Sequence, residues 1–144
     1  MLLIEMKLMS DRAFIDTNIL VYLFSSNEPE KNKIALNLIN SDSEFVISTQ
    51  VVNEFINVMN KKIKAELITI TKAVDILPSH FTIVEISLNT IKSALIIAHK
   101  HKYRYFDALM LASALENGIP ILYSEDMHNT HLINNKLRII NPFK

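Results

Sequence analysis

Short apolar runs of strand character alternate with longer segments of helical spacing along the chain, and few architectures accommodate that alternation. The strand-type runs fall at 13–16, 44–48, 81–86, 120–123 and 137–140. The first leads into an apolar helix that Thr17 or Asn18 is placed to cap. Helical spacing then extends over 50–62, where Val51, Phe55, Val58 and Met59 share one stripe. It returns over 66–77, where the helix is expected to end before Pro78. Two further helices are expected at 88–101, with Ile91, Leu95 and Ala98 on one face, and at 106–117, stopped by Gly118. Strands separated by helices pair in parallel, and a parallel sheet needs helices on both faces. The expected fold class is therefore α/β.

Such a fold needs a large apolar interior, and 49% apolar against 21% charged residues supplies one. A single glycine and four prolines leave little linker material in 144 residues, so one domain over 9–144 is expected. Met1, Met6 and Met9 are alternative starts, and residues 1–8 read as an extension. The chain has no cysteine, which excludes disulfides and thiolate metal sites and fits a reducing cytoplasm. Fifteen basic residues balance fifteen acidic ones, which argues against gripping a polyanion by bulk charge while leaving room for local basic patches. No apolar stretch reaches the roughly 20 residues of a membrane span, and the opening residues are too short for a signal peptide.

The run F-I-D-T-N-I-L-V-Y-L-F, from Phe14 to Phe24, sets D-T-N inside an oily stretch. Apolar elements avoid a carboxylate unless it is paired or binds a metal. Parallel α/β sheets gather ligands beyond the carboxyl ends of their strands, which is where Asp16 stands. Glu54 lies one helical turn past the second strand, on the margin of the apolar stripe, with Asn53 and Asn57 further out. Asp107 opens the last helix, with Leu111 and Ala114 at helical spacing, and Asp126 follows the strand at 120–123. Each acid has an ordinary reading as well: a helix cap or turn for the aspartates, a solvated side chain for Glu54. Together they place four acids at one sheet edge. Like charges held that close raise each other's pKa unless a cation neutralises them. Magnesium or manganese favours such oxygen donors, and the cluster can then activate water and stabilise charge on a phosphate.

Five segments carry a resemblance: R-A-F-I-D-T-N-I-L-V-Y at 12–22, I-S-T-Q-V-V-N-E-F at 47–55, Y-F-D-A-L-M-L-A-S-A-L at 105–115, I-L-Y-S-E-D-M at 121–127 and I-I-N-P-F at 139–143. In this order and spacing the chain resembles a PIN domain, specifically a VapC-type ribonuclease toxin of toxin–antitoxin pairs. The resemblance implies a three-layer α/β/α sandwich with a five-stranded parallel sheet. It implies that Asp16, Glu54, Asp107 and Asp126 are the metal-binding and catalytic acids. Asn18 matches the asparagine of D-T-N, and Ser124 the hydroxyl residue that helps hold the last acid. Glu125 is adjacent, but Asp126 is the better match. The glycine common after S-E-D is replaced here within M-H-N-T-H, where Asn129 tolerates a left-handed turn.

The implied activity is Mg2+-dependent (or Mn2+-dependent) hydrolysis of RNA phosphodiesters, with a cognate antitoxin over the acidic pocket and a homodimer as the assembly. Two basic runs are candidate RNA contacts: Lys61, Lys62 and Lys64, and the preferred set Lys100, Lys102 and Arg104, just before Asp107. His128 and His131 read as surface-loop residues near the site, and His99 and His101 as a solvated helix end. The alternative is a non-catalytic PIN domain binding RNA or a protein partner, which usually loses an acid; all four are present. A phosphatase with an aspartyl nucleophile needs a second aspartate two residues after the first, and Asn18 occupies that place.

Overall fold

The computed structural model describes residues 11–144, so the expected extension at 1–8 lies outside the described residues. Ala13, Phe14 and Ile15 are buried in β1 (Arg12–Ile15), as a central parallel strand requires. β2 (Glu44–Ser48) pairs with it on one side and β4 (Ile121–Tyr123) on the other, both parallel. Phe14 faces Val46 in one pairing and Leu122 in the other. With β3 (Thr82–Val84), β5 (Leu132–Ile133) and β6 (Leu137–Ile140), the strand order is β3-β2-β1-β4-β6-β5.

Among the described residues the sheet thus has six strands, not five, and its last pair is antiparallel. The extra strand is only two residues long, too short to show a period of two. Asn134 and Asn135 follow it with φ of 50° and 58°, and two successive left-handed residues make the tight turn that reverses the chain into β6.

Among the described residues six helices cover the sheet: α1 (Thr17–Phe24), α2 (Pro29–Ile39), α3 (Thr49–Lys61), α4 (Leu67–His80), α5 (Leu88–His101) and α6 (Tyr105–Glu116). Three helix expectations are corrected. Asp16, rather than Thr17 or Asn18, is the N-cap of α1. α4 runs through Pro78 to His80; the Phe81 N–H donates to the Leu77 carbonyl at 2.9 Å, and both side chains are buried, which holds the last turn despite the missing donor. On α5 the buried face is Thr90, Ala94 and Ile97, while Leu95 is exposed. α2 is not marked out by the sequence because its first half is P-E-K-N-K, Ala35 is its one fully buried residue, and only Leu38 and Ile39 pack partly against the core beside it.

α6 buries seven consecutive residues, Ala108–Ala114, and is therefore enclosed on all sides. Its small side chains, Ala108, Ala112 and Ala114, let the sheet and α5 approach closely. Among the described residues no helix is long and apolar enough to cross a membrane.

The chain builds β1, β2 and β3 outward in one direction, then returns to place β4 on the other flank of β1. The order reverses between β1 and β4. At such a switch point the loops leaving two neighbouring strands part and open a crevice.

Candidate active site

Asp16 leaves β1 at that switch point and is buried. Its Oδ1 accepts the Thr17 N–H at 2.6 Å, and its Oδ2 accepts the Ser124 hydroxyl at 2.7 Å. Ser124 leaves β4, the adjacent strand, so the crevice is closed at its base by a hydrogen bond between the two strand ends. Burial pushes the Asp16 carboxyl up to about 6; the Ser124 and Thr17 hydrogen bonds pull it down, and the charges of Asp107 and Glu54 push it up again.

Glu54 reaches the same edge from α3. Its Oε2 accepts the Thr17 hydroxyl at 2.7 Å and its Oε1 accepts the Gln50 amide at 3.0 Å, one helical turn away. The same Gln50 nitrogen donates to the Phe106 carbonyl at 2.9 Å, so Gln50 ties α3 to the start of α6. Asp107 lies in that first turn of α6, half-buried. Burial raises its pKa, the charges of Asp126 and Glu54 raise it further, and Arg104 lowers it. Asp126 is exposed on the loop after β4, where its Oδ2 accepts the Asn18 amide at 2.6 Å.

All four predicted acids therefore gather at the switch point: Asp16 feels Asp107 and Glu54, and Asp107 feels Asp126 and Glu54. Among the described residues no three carboxylate or imidazole groups converge as a finished ion cage. The site is an open arc. Its donor chemistry, four carboxylates of which Asp16 and Asp107 have their pKa raised by burial and by the neighbouring charges, fits a hard divalent cation.

One supporting role differs from expectation. Ser124 holds Asp16, the first acid, rather than Asp126, because β1 and β4 become neighbours only across the switch point. Asn18 holds Asp126 instead. Thr17 and Gln50 were not singled out for the site, although both lie in the segments that carry the family resemblance.

Glu125 faces away from the acids and is engaged elsewhere. It accepts hydrogen bonds from Lys31 and from the Tyr22 hydroxyl, the latter at 2.5 Å. Burial opposes its ionisation, but those two donors and the Lys31 charge outweigh it and hold its pKa below the ordinary value. Burial and Glu125 push the Tyr22 hydroxyl up to about 12. Lys31 also lies over the Tyr22 ring at 5.1 Å and the Phe143 ring at 5.7 Å. This clasp ties α2 to the loop that carries Asp126.

Clefts flank the arc. One of about 410 Å³ is bordered by Asn18, Tyr22, Lys62, Glu125 and Asp126. Another of about 220 Å³ is bordered by Lys102, Arg104, Asp107 and Asp126. Of the preferred basic run, Lys102 and Arg104 thus stand beside the acids, whereas Lys100 points to Asn134 at 3.5 Å. Of the other run, Lys62 reaches the larger cleft.

A family model described as PIN domain matches residues 13–129, a span that holds all four acids. No curated protein sequence matches the chain. Among solved structures, a toxin–antitoxin complex from Klebsiella pneumoniae is 26% identical with a TM-score of 0.64, over 90% of this chain and 97% of that one. VapC20 of Mycobacterium tuberculosis, a sarcin–ricin-loop-cleaving toxin, is 17% identical with a TM-score of 0.65, over 76% of this chain and 86% of that one. VapBC2 from Rickettsia felis, bound to promoter DNA, is 19% identical with a TM-score of 0.64, over 89% of this chain and 96% of that one. The family model spans the sheet from β1 to the loop beyond β4, and on that match the chain belongs to the PIN-domain family.

Proposed function

We propose that the protein is a magnesium-dependent endoribonuclease, with manganese as an alternative ion, and the toxin of a toxin–antitoxin pair. The observation that carries this reading is a buried Asp16 carboxyl pushed up to about 6 inside a cluster of four acids at the switch point. A hard divalent cation relieves both the desolvation and the repulsion. Asp16, Glu54, Asp107 and Asp126 would hold it, and when bound it supplies Lewis-acid stabilisation of charge on a phosphate and eases ionisation of water.

The chain's own groups do the rest. Thr17, Gln50 and Ser124 fix the oxygens of Asp16 and Glu54, and Asn18 fixes Asp126, as supporting donors do around ion ligands. Glu54 orients the attacking water, whose proton passes to solvent. The water oxygen bonds to phosphorus while the bond from phosphorus to the leaving sugar oxygen breaks, and that oxygen is protonated from solvent. Lys102 and Arg104 supply local positive charge for the RNA backbone, which a net charge of zero does not.

The toxin assignment draws support from structural neighbours that are toxin–antitoxin proteins. On that reading a cognate antitoxin covers the acid edge, a second copy completes a homodimer, and the protein acts in the cytoplasm. An apolar cleft beside Glu54, lined by Ile86, Leu109 and a Phe106 that is 62% exposed, offers contact surface for such a partner.

Cleavage of total RNA tests the activity. Asp16→Asn and Asp107→Asn proteins are expected to fold, by circular dichroism, and to leave RNA intact in magnesium, and a chelator is expected to stop the unsubstituted protein. RNA bound but uncut by the unsubstituted protein in either ion would replace the nuclease with the non-catalytic PIN reading.

A further inference from the structure

The cleft that Lys102 and Arg104 border has an aromatic wall facing its acids. Tyr103, in the turn between α5 and α6, and His128, in the loop beyond β4, both line it. The Tyr103 ring lies at 23° to the His131 imidazole with centroids 5.8 Å apart, a stacked pair. His128 meets Tyr103 edge-on at 6.2 Å, and His101 meets His131 edge-on at 5.6 Å. The Tyr103 hydroxyl and His131 Nδ1 share a hydrogen bond of 2.8 Å, which fixes the two rings to each other. Four rings from two separate segments thus form one assembly.

Tyr103 packs partly against the core, but none of the four rings is fully buried, and His128 is exposed. Lys102, φ 61°, ends α5 in the left-handed conformation common after a helix, while Thr130, next to His131, has φ of 70°. For a β-branched residue the left-handed region is a true outlier, and such strain persists only where the surroundings over-determine it. Burial, with the nearby His101 and His128, keeps the His131 pKa below the ordinary imidazole value, which favours a neutral ring at pH 7.

Three chemistries meet around this small space: π faces, two cations and the carboxylates of Asp107 and Asp126. Unpaired RNA presents the matching series along one strand, because its bases are free to stack on tyrosine or histidine while its phosphates meet basic groups. A duplex keeps its bases stacked on each other and has none to offer. We propose that the Tyr103–His128 wall is the base-binding subsite for the nucleotide next to the scissile phosphate; this rests on the ribonuclease reading above. Lys102 and Arg104 hold the phosphate between that base and the acids.

The test measures binding of fluorescein-labelled octauridylate, and of the same octamer with abasic riboses, by anisotropy in the Asp16→Asn background. Stacking on an aromatic side chain is worth enough that Tyr103→Ala and His128→Ala should each raise the Kd for octauridylate about tenfold. Neither should change the Kd for the abasic octamer, and Tyr103→Phe should bind within about twofold of the parent. With Tyr103 and His128 intact, the abasic octamer should itself bind about tenfold more weakly, a comparison that does not depend on how a variant folds. A hairpin duplex should compete poorly. Equal losses on both octamers, unchanged Kd values, or equal competition by the duplex would each overturn the subsite. Should Asp16→Asn still cut RNA while the base-dependent losses appear, the assignment of the acids falls and the subsite stands.

Discussion

Two halves of the acid arc are built differently. Asp16 and Glu54 receive four hydrogen bonds, from the Thr17 N–H, the Thr17 hydroxyl, Ser124 and Gln50. Asp107 and Asp126 receive one, from Asn18. The first pair stands where β1 and α3 meet the sheet edge; Asp126 is on an exposed loop and Asp107 beside it in a first helical turn. A carboxylate that is buried must be hydrogen-bonded or it costs several kcal/mol, so Asp16 carries its donors with it. Asp126 is exposed and half-buried Asp107 borders a cleft, which leaves the outer half open to substrate. One side of the site is preorganised by the fold, and the other is where ligands enter.

The largest effect should come from neutralising either half, since both contribute oxygens: Asp16→Asn and Asp126→Asn should each lower RNA cleavage by more than about 100-fold, beyond the range of losing a supporting donor. A stability measurement on ion-free protein separates them. Asp16 is held near 6 when folded, against an ordinary 3.8. Between those values the folded protein binds the extra proton, so stability falls as pH rises and the deficit is complete above about 6. Converted at about 1.4 kcal/mol per tenfold, that deficit is of order 3 kcal/mol. Asp16→Asn should therefore raise the urea midpoint at pH 8 and leave it near the parent's at pH 4. Asp126→Asn, exposed, should stay within about 0.5 kcal/mol at either pH. A destabilised Asp16→Asn protein at pH 8 would mean that its hydrogen bonds outweigh its burial.

This asymmetry explains what could be read in the sequence. Asp16, Glu54, Asp107 and Asp126 were legible because each begins or follows an element that period and turn residues mark out. The donors were less so. Ser124 bonds Asp16 across 108 residues of chain, and only the switch in strand order makes them neighbours. Gln50 and Glu54 are i,i+4 partners, a spacing that a helix wheel shows, yet nothing in sequence says that the pair faces α6. β5 was too short to reveal itself, α2 buries only Ala35 fully and opens on the polar run P-E-K-N-K, and Pro78 marked a helix end that tertiary packing carries past it.

Removing the supporting donors should reproduce the difference between halves on a smaller scale. Ser124→Ala strips Asp16 of a buried partner, and Thr17→Val removes one from Glu54. Loss of such a donor typically lowers ion affinity about 10- to 100-fold, and Ser124→Ala should fall at the upper end because its site is buried. Asn18→Ala acts on the exposed Asp126 and should fall at the lower end, since water can replace its amide. Titrating magnesium against cleavage reads both, and excess magnesium should restore the rate. If Asn18→Ala costs more than Ser124→Ala, the outer half is the organised one.

The smallest effect is expected at the clasp behind the outer half. Lys31 and Tyr22 bond Glu125, the residue before Asp126, and Asn141 donates to the Glu125 carbonyl at 3.2 Å. Lys31 is partly exposed and its ion pair is solvated, so it contributes little to stability. Its leverage is positional: it sets where the Asp126 loop stands without touching any reacting group. Lys31→Met keeps the stem over Tyr22 and Phe143 and deletes the charge. It should lower cleavage by less than about tenfold, below the loss from a direct supporting donor. The magnesium dependence should shift while the unfolding midpoint barely moves, and Lys31→Arg should restore most of the rate. An unchanged magnesium titration in Lys31→Met would show that Asn18, Tyr22 and Asn141 hold the Asp126 loop without the Lys31 charge.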